Sequence, residues 1–131
     1  MMAFSGPQMC LTGVTASADL STKQFYFVKM SGEKTVTVCA GATDKPIGVL
    51  QNAPVSGAEA TVCVVGMTKV SGDADLDYGM LIGTSGDGQA DAKTPGTDTT
   101  EYICGQVIAG NGAAGGLITA FINCANIGRG A

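Results

Sequence analysis

The stretch 41–70, GATDKPIGVLQNAPVSGAEATVCVVGMTKV, leaves a chain of this kind few ways to fold. Pro46 fixes its own φ and pushes Lys45 out of the helical region, so Asp44, Lys45 and Pro46 form a turn leading into a strand. Ile47, Val49 and Leu50 have the apolar, partly β-branched character of a short strand. Asn52, Ala53 and Pro54, then Ser56 and Gly57, break it. Residues 60–65 are the next strand, which Gly66 bends before Met67, Thr68, Lys69 and Val70. Strand, turn, strand and turn fill these thirty residues, and no group suited to catalysis stands among them.

The rest of the chain repeats this rhythm. Residues 24–30 form a strand whose alternation puts Phe25, Phe27 and Lys29 on one face and Tyr26, Val28 and Met30 on the other. Both faces are largely apolar, so the strand belongs in a closed or doubly covered sheet. Residues 31–34 are a turn, and 35–39 alternate cleanly as the hairpin partner. A brief strand is expected at 79–83, and a final pair at 101–109 and 117–124. Residues 84–100 form a polar loop, with a short strand near 89–92. No segment supports a helix longer than two turns, and no repeat recurs at a fixed period. Short strands between Gly and Pro turns, about eight to twelve residues apart, argue for an all-β fold, a small barrel or sandwich.

Residues 1–17 read differently. Gly6 and Pro7 interrupt a few scattered apolar residues, and neither a helical nor a strand period is present. The expectation is an extended arm, spanning on the order of 50 Å when stretched, on a single β domain at 18–131. Ordering such an arm costs about 1–2 kcal/mol per residue, so it should order only against a surface.

Composition narrows the function. Apolar residues make up 45% of the chain and charged residues only 14%, against about a quarter in an ordinary domain. A small domain with so few charges leaves apolar surface for partners to cover. The net charge is −4, and the seven Lys and Arg are scattered, so the basic footprint of a nucleic-acid binder is missing. The N-terminus MMAFSGPQMCL lacks the charge and apolar core of a signal peptide, and no run reaches the roughly eighteen apolar residues of a membrane span. Synthesis in the cytosol and no membrane partner are the expectation.

Candidate chemistry is sparse. The chain has no histidine, which removes Ser-His and Cys-His pairs and mixed zinc sites. The five cysteines, Cys10, Cys39, Cys63, Cys104 and Cys124, are odd in number, and no two have C-x-x-C spacing. The last four sit in apolar strand-like runs and are expected to be buried free thiols. Asp73, Asp75 and Asp77 have the spacing of the first ligands of a calcium loop, but Tyr78 replaces the required Gly and Thr84 the bidentate Glu. A solvated edge, with Ala74, Leu76 and Tyr78 facing protein, is the expected alternative. Residues 84–88, TSGDG, lack the lysine of a phosphate loop. An enzyme is not expected, nor a metal, a cofactor or a small-molecule substrate.

The run DKPIGVLQN, a following Gly, and A-x-V-x-V-x-G-x-x-K-V resemble the head-decoration (capsid cement) proteins of tailed bacteriophages. Residues 18–29, ADLSTKQFYFVK, match their opening strand, Gly79 to Ile82 fits a later one, and the likeness spans about 14–92. The resemblance implies a compact barrel-like body with a protruding N-terminal arm, located on the outer surface of the virion. It implies two partners, the major capsid protein and further copies of the chain, with a homotrimer as the family's state. Such a protein bridges capsid subunits and stabilises the shell after expansion. Phe4, Pro7, Met9, Leu11 and Val14 are then the expected capsid-contacting arm residues. A small barrel module of a phage spike or fibre, recognising a host-surface ligand through residues 84–100, is the alternative.

Overall fold

The structure is a computed structural model and describes residues 3–131. Its spine is the thirteen-residue strand β5 (Glu59–Ser71). One edge of β5 pairs antiparallel with β1 (Gln8–Ala16), from Gln8 opposite Gly66 to Thr15 opposite Glu59. The other edge is shared. β4 (Gly48–Leu50) takes Val62 and Cys63, and β10 (Leu117–Asn123) takes the length from Val65 to Ser71.

Two lobes grow from this spine. In the first, β2 (Phe27–Gly32) pairs with β4 and with β3 (Thr35–Val38), and β3 runs parallel to β1 at Thr15 opposite Thr35. The ring β1-β3-β2-β4-β5 therefore closes into a five-stranded barrel with no free edge. In the second, the sheet continues from β10 through β9 (Gly105–Ala109) and β6 (Leu81–Thr84) to β7 (Ala90–Ala92). A bridge from Ala90 to Gly72 brings β7 back to the end of β5. The short strands β8 (Tyr102–Ile103) and β11 (Gly128–Arg129) pair separately. The described residues are all-β, as the spacing of strands and turns requires.

Each lobe has its own core. Val14, Leu20, Val28, Val36, Leu50 and Val62 fill the barrel. Phe27, Val49, Val70, Leu76, Ile82, Ile118 and Ile122 fill the second lobe. Adjacent residues Phe27 and Val28 are both fully buried, one in each core, so β2 is covered on both sides at its start, whereas Met30 farther along is exposed.

The N-terminal segment differs from its expectation. Residues 8–16 are a strand of the sheet rather than an arm held off the body, and Met1 and Met2 of the expected 1–17 arm lie outside the described residues. Main-chain pairing to β5 does not need an alternating pattern, which is why the sequence hides it. Gly13, at φ 80°, also absorbs a register shift between Leu11 and Val14 that scrambles the period. Gly66, at φ 137°, lies within the continuous β5: a side chain there would meet the carbonyl of Pro7 and lie 2.7 Å from Gln8 Cα, so glycine lets β1 close on the spine. Two smaller differences follow. The expected strand at 24–30 starts only at Phe27, because Phe25 has φ 68°. The expected strand at 101–109 is split at Cys104 into β8 and β9.

Candidate docking surface

Phe4, Ser5, Gly6 and Pro7 prolong β1 along β5 and then cross onto β10. The Met67 amide donates to the Pro7 carbonyl (3.1 Å), and the Gly6 amide to the Met67 carbonyl (3.0 Å). The Lys69 amide donates to Ser5 Oγ (3.2 Å). The Phe4 amide donates to Thr119 Oγ1 (2.8 Å), which donates back to the Phe4 carbonyl (3.2 Å). Two of these bonds are main chain to main chain and three use the Ser5 and Thr119 hydroxyls, so the side chains of Phe4 and Pro7 take no part in them. Phe4, Pro7 and Met9 are exposed, Met9 at 70%. The other two expected arm residues turn inward to different degrees: Val14 is buried in the barrel, and Leu11, partly buried, packs against both cores. Burial in its own chain makes Val14 an anchor of β1, a correction to its expected role as a partner contact.

The strand β10 presents a second apolar row. Ile118, Ala120 and Ile122 point into the core, which leaves Leu117, Phe121 and Asn123 facing solvent. Phe121 sits between Met67 of β5 and Gln106 of β9, and Thr119 sits opposite Lys69. Ile108, 45% exposed, is the extra residue of a bulge where β9 shifts register against β10. Beyond β9 come Tyr78 and Met80, tied in by the Gly79 amide donating to the Val107 carbonyl (2.8 Å). Among the described residues, Phe121, Leu117 and Ile108 are the exposed large hydrophobics of β10 and β9. Apolar surface of this kind is worth roughly 25 cal/mol per Å² when covered. Sequence reasoning found both parent strands but not this row. The signal was present in Leu-Ile-Thr-Ala-Phe-Ile, which is apolar on both faces while only one face can be inside.

The acidic turn carries less. Asp73, Asp75 and Asp77 are exposed and Leu76 is buried, but Tyr78, expected to face protein, is 81% exposed. Among the described residues no cluster of three or more acids and thiols could hold a metal ion. An open cavity of about 360 Å³ is lined by Lys29, Met30, Lys45, Pro46, Ile47 and Cys124. Lys29 Nζ is taken there by Asp44 (2.8 Å), and that ion pair with the Ala40 and Gly41 amides holds the Asp44 carboxyl below its ordinary range. The polar segment 84–100 is anchored by Lys93, whose buried ammonium pairs with Glu101.

Cys39, Cys63, Cys104 and Cys124 are buried free thiols, and Cys10 is exposed. Burial pushes the Cys39 and Cys63 thiols up to about 12. Cys124 is raised by its hydrogen bond to Cys104 and then by burial. Thiolates are the reactive form, so these thiols should be inert. With an aromatic disulfide reagent near about pH 8, the native chain should release one equivalent rapidly and the remaining four only on unfolding. Rapid release of more than one equivalent would mean that the second core opens readily.

No family model matches the chain, and no curated protein does either. Among solved structures, the fold is similar to the N base of head fibre gp8.5 in bacteriophage phi29, with a TM-score of 0.64 and 16% identity. The similarity covers 90% of this chain and 96% of that one, so it takes in both lobes. The chain therefore has the all-β fold seen in the base of a phage head fibre.

Proposed function

We propose that this chain is a non-enzymatic structural protein of the outer surface of a tailed-phage head, where it binds the major capsid protein. The observation that carries this reading is the end-to-end fold similarity to a head-fibre base. The decoration-protein resemblance of residues 14–92 and the exposed apolar side chains support it independently. Within this reading the chain acts as a cement that bridges capsid subunits after expansion. Several copies on one lattice bind collectively, since each tethered contact raises the effective concentration of the next. Phe4, Pro7 and Met9 are the capsid-contacting residues, being the expected arm positions that remain exposed.

Co-sedimentation with expanded heads tests this. Full-length chain should bind, and removing residues 1–7 or introducing Met9→Asp should weaken binding by about tenfold or more, the usual loss when a buried interface anchor is removed. Failure of the intact chain to bind, or undiminished binding by both variants, would overturn the assignment. A second reading, the base of a head fibre, is favoured by the structural neighbour. Imaging of the native particle separates the two: cement gives density close to the shell lattice, and a fibre base gives density continuing outward.

A further inference from the structure

We infer that Asn111 is a site of spontaneous covalent modification, deamidation through a cyclic imide formed with Gly112, and that the reaction unfastens the acidic turn 73–78 from the second lobe. The chain has four asparagines, Asn52, Asn111, Asn123 and Asn126, and only Asn111 is followed by glycine. In this reaction the main-chain nitrogen of the next residue attacks the side-chain carbonyl carbon. A Cβ on that next residue is the chief obstacle, and Gly112 has none. Gly112 is exposed at φ 72°, with open space where a side chain would stand, so water and base reach its nitrogen. Among the described residues no acceptor takes the Gly112 amide, whereas the amides of Asn111, Gly115 and Gly116 bond to the Leu76, Gly72 and Ala113 carbonyls.

The electrophile is prepared from the other side. The Leu76 amide donates to Asn111 Oδ1 (3.0 Å), the oxygen on which negative charge develops as the Gly112 nitrogen adds. The new bond joins Gly112 N to Asn111 Cγ, the Cγ–Nδ2 bond breaks, and ammonia leaves with the Gly112 amide proton. Water then opens the imide, at Cγ to give aspartate or at the Asn111 main-chain carbonyl carbon to give isoaspartate. Solvent water is the only co-reactant. The consequence follows from what the amide holds. Asn111 Nδ2 donates to the Ala74 carbonyl (3.0 Å) and the Gly116 carbonyl (3.2 Å). The Asn111 amide donates to the Leu76 carbonyl (3.2 Å), and Gly110 packs so close to that carbonyl that no side chain fits. The turn is thus pinned where Leu76, 1% exposed, enters the core. In aspartate a negative oxygen replaces the donor and faces two carbonyl oxygens, and in isoaspartate an extra main-chain carbon shifts the whole clamp. Either product also adds a negative charge beside exposed Asp73, Asp75 and Asp77.

Peptide mapping by mass spectrometry tests the site on the folded wild-type chain held at mildly alkaline pH, beside a portion unfolded in urea. The Asn111 peptide of the folded chain should gain a mass unit and separate into isoaspartate and aspartate forms, while the peptides of Asn52, Asn123 and Asn126 stay unchanged. Hydrogen exchange on the modified fraction should show the Leu76 amide losing its protection. Asn111→Asp, which makes one product directly, should melt about 4 °C or more below the wild type, the shift expected when buried carbonyls lose their donor. An Asn111 that stays intact in the folded chain for the time that converts it in urea overturns the site. Wild-type Leu76 protection in the modified fraction, or a wild-type melting temperature for Asn111→Asp, overturns the release of the turn.

Discussion

Replacing Phe27 with alanine is expected to destabilise the protein by about 3–5 kcal/mol, a large part of the whole stability of a domain this size. Phe27 is fully buried and holds the two lobes together. Its strand belongs to the barrel, where it pairs with Val49, but its ring lies in the core of the second lobe. Its amide donates to the Gly88 carbonyl (2.7 Å), and its carbonyl accepts from Cys39 (3.0 Å), so the backbone is fixed from both sides and cannot follow the missing ring inward. A cavity therefore stays open, and its cost adds to the lost transfer energy. The melting temperature should fall by about 10–20 °C. Phe121→Ala is the control: with its ring half exposed, it should stay within roughly 0.5 kcal/mol. Denaturant unfolding measures both, and a loss below about 1 kcal/mol for Phe27→Ala would show that the junction between the lobes is compliant.

The second large effect is expected at Glu101. The Lys93 side chain is 1% exposed, its stem lies against Gly83 of β6, and its ammonium pairs with Glu101, whose side chain is 22% exposed. Removing one partner of a buried pair leaves an uncompensated charge, which costs more than the pair itself contributes. Glu101→Ala should therefore cost about 3 kcal/mol, at the low end of the range because water reaches the glutamate side of the pair. Lys93→Met removes the buried charge and should cost less. The double variant should recover most of the loss, with a coupling of about 1–3 kcal/mol. Strict additivity of the two single effects would mean that the ammonium finds other partners.

Much of this architecture could be read from local chemistry. The turn expected at 31–34 is a tighter one at Glu33 and Lys34, with Lys34 in the left-handed region at φ 60° between β2 and β3. The short strand expected near 89–92 is β7, and residues 117–124 give β10 nearly to the residue. The four cysteines in apolar runs are buried as expected. The failures share one cause, which is that they depend on a distant partner. β1 is a strand because β5 offers an edge some fifty residues away, and nothing in MCLTG announces that pairing. Phe25 leaves its strand because its carbonyl is claimed by the Ser71 amide (2.8 Å).

The candidate surface divides along the same line. An excess of apolar residues over charges is a property of the sequence, and it already says that some greasy surface must be covered by partners. The all-β class is equally local, since period-two alternation, β-branched runs and Gly or Pro turns act within a few residues of themselves. Which apolar residues remain outside is not local. Leu117 and Ile118 are chemically alike, and a slip of one residue against β5 would exchange their faces and those of Phe121 and Ile122. Likewise Met9 and Val14 are both apolar members of one strand. The barrel closes over Val14 and leaves Met9 on the rim, because ring closure with β3 reaches only the C-terminal end of β1. The strands follow from the residues themselves; the docking surface follows from how strands far apart in the chain settle their register.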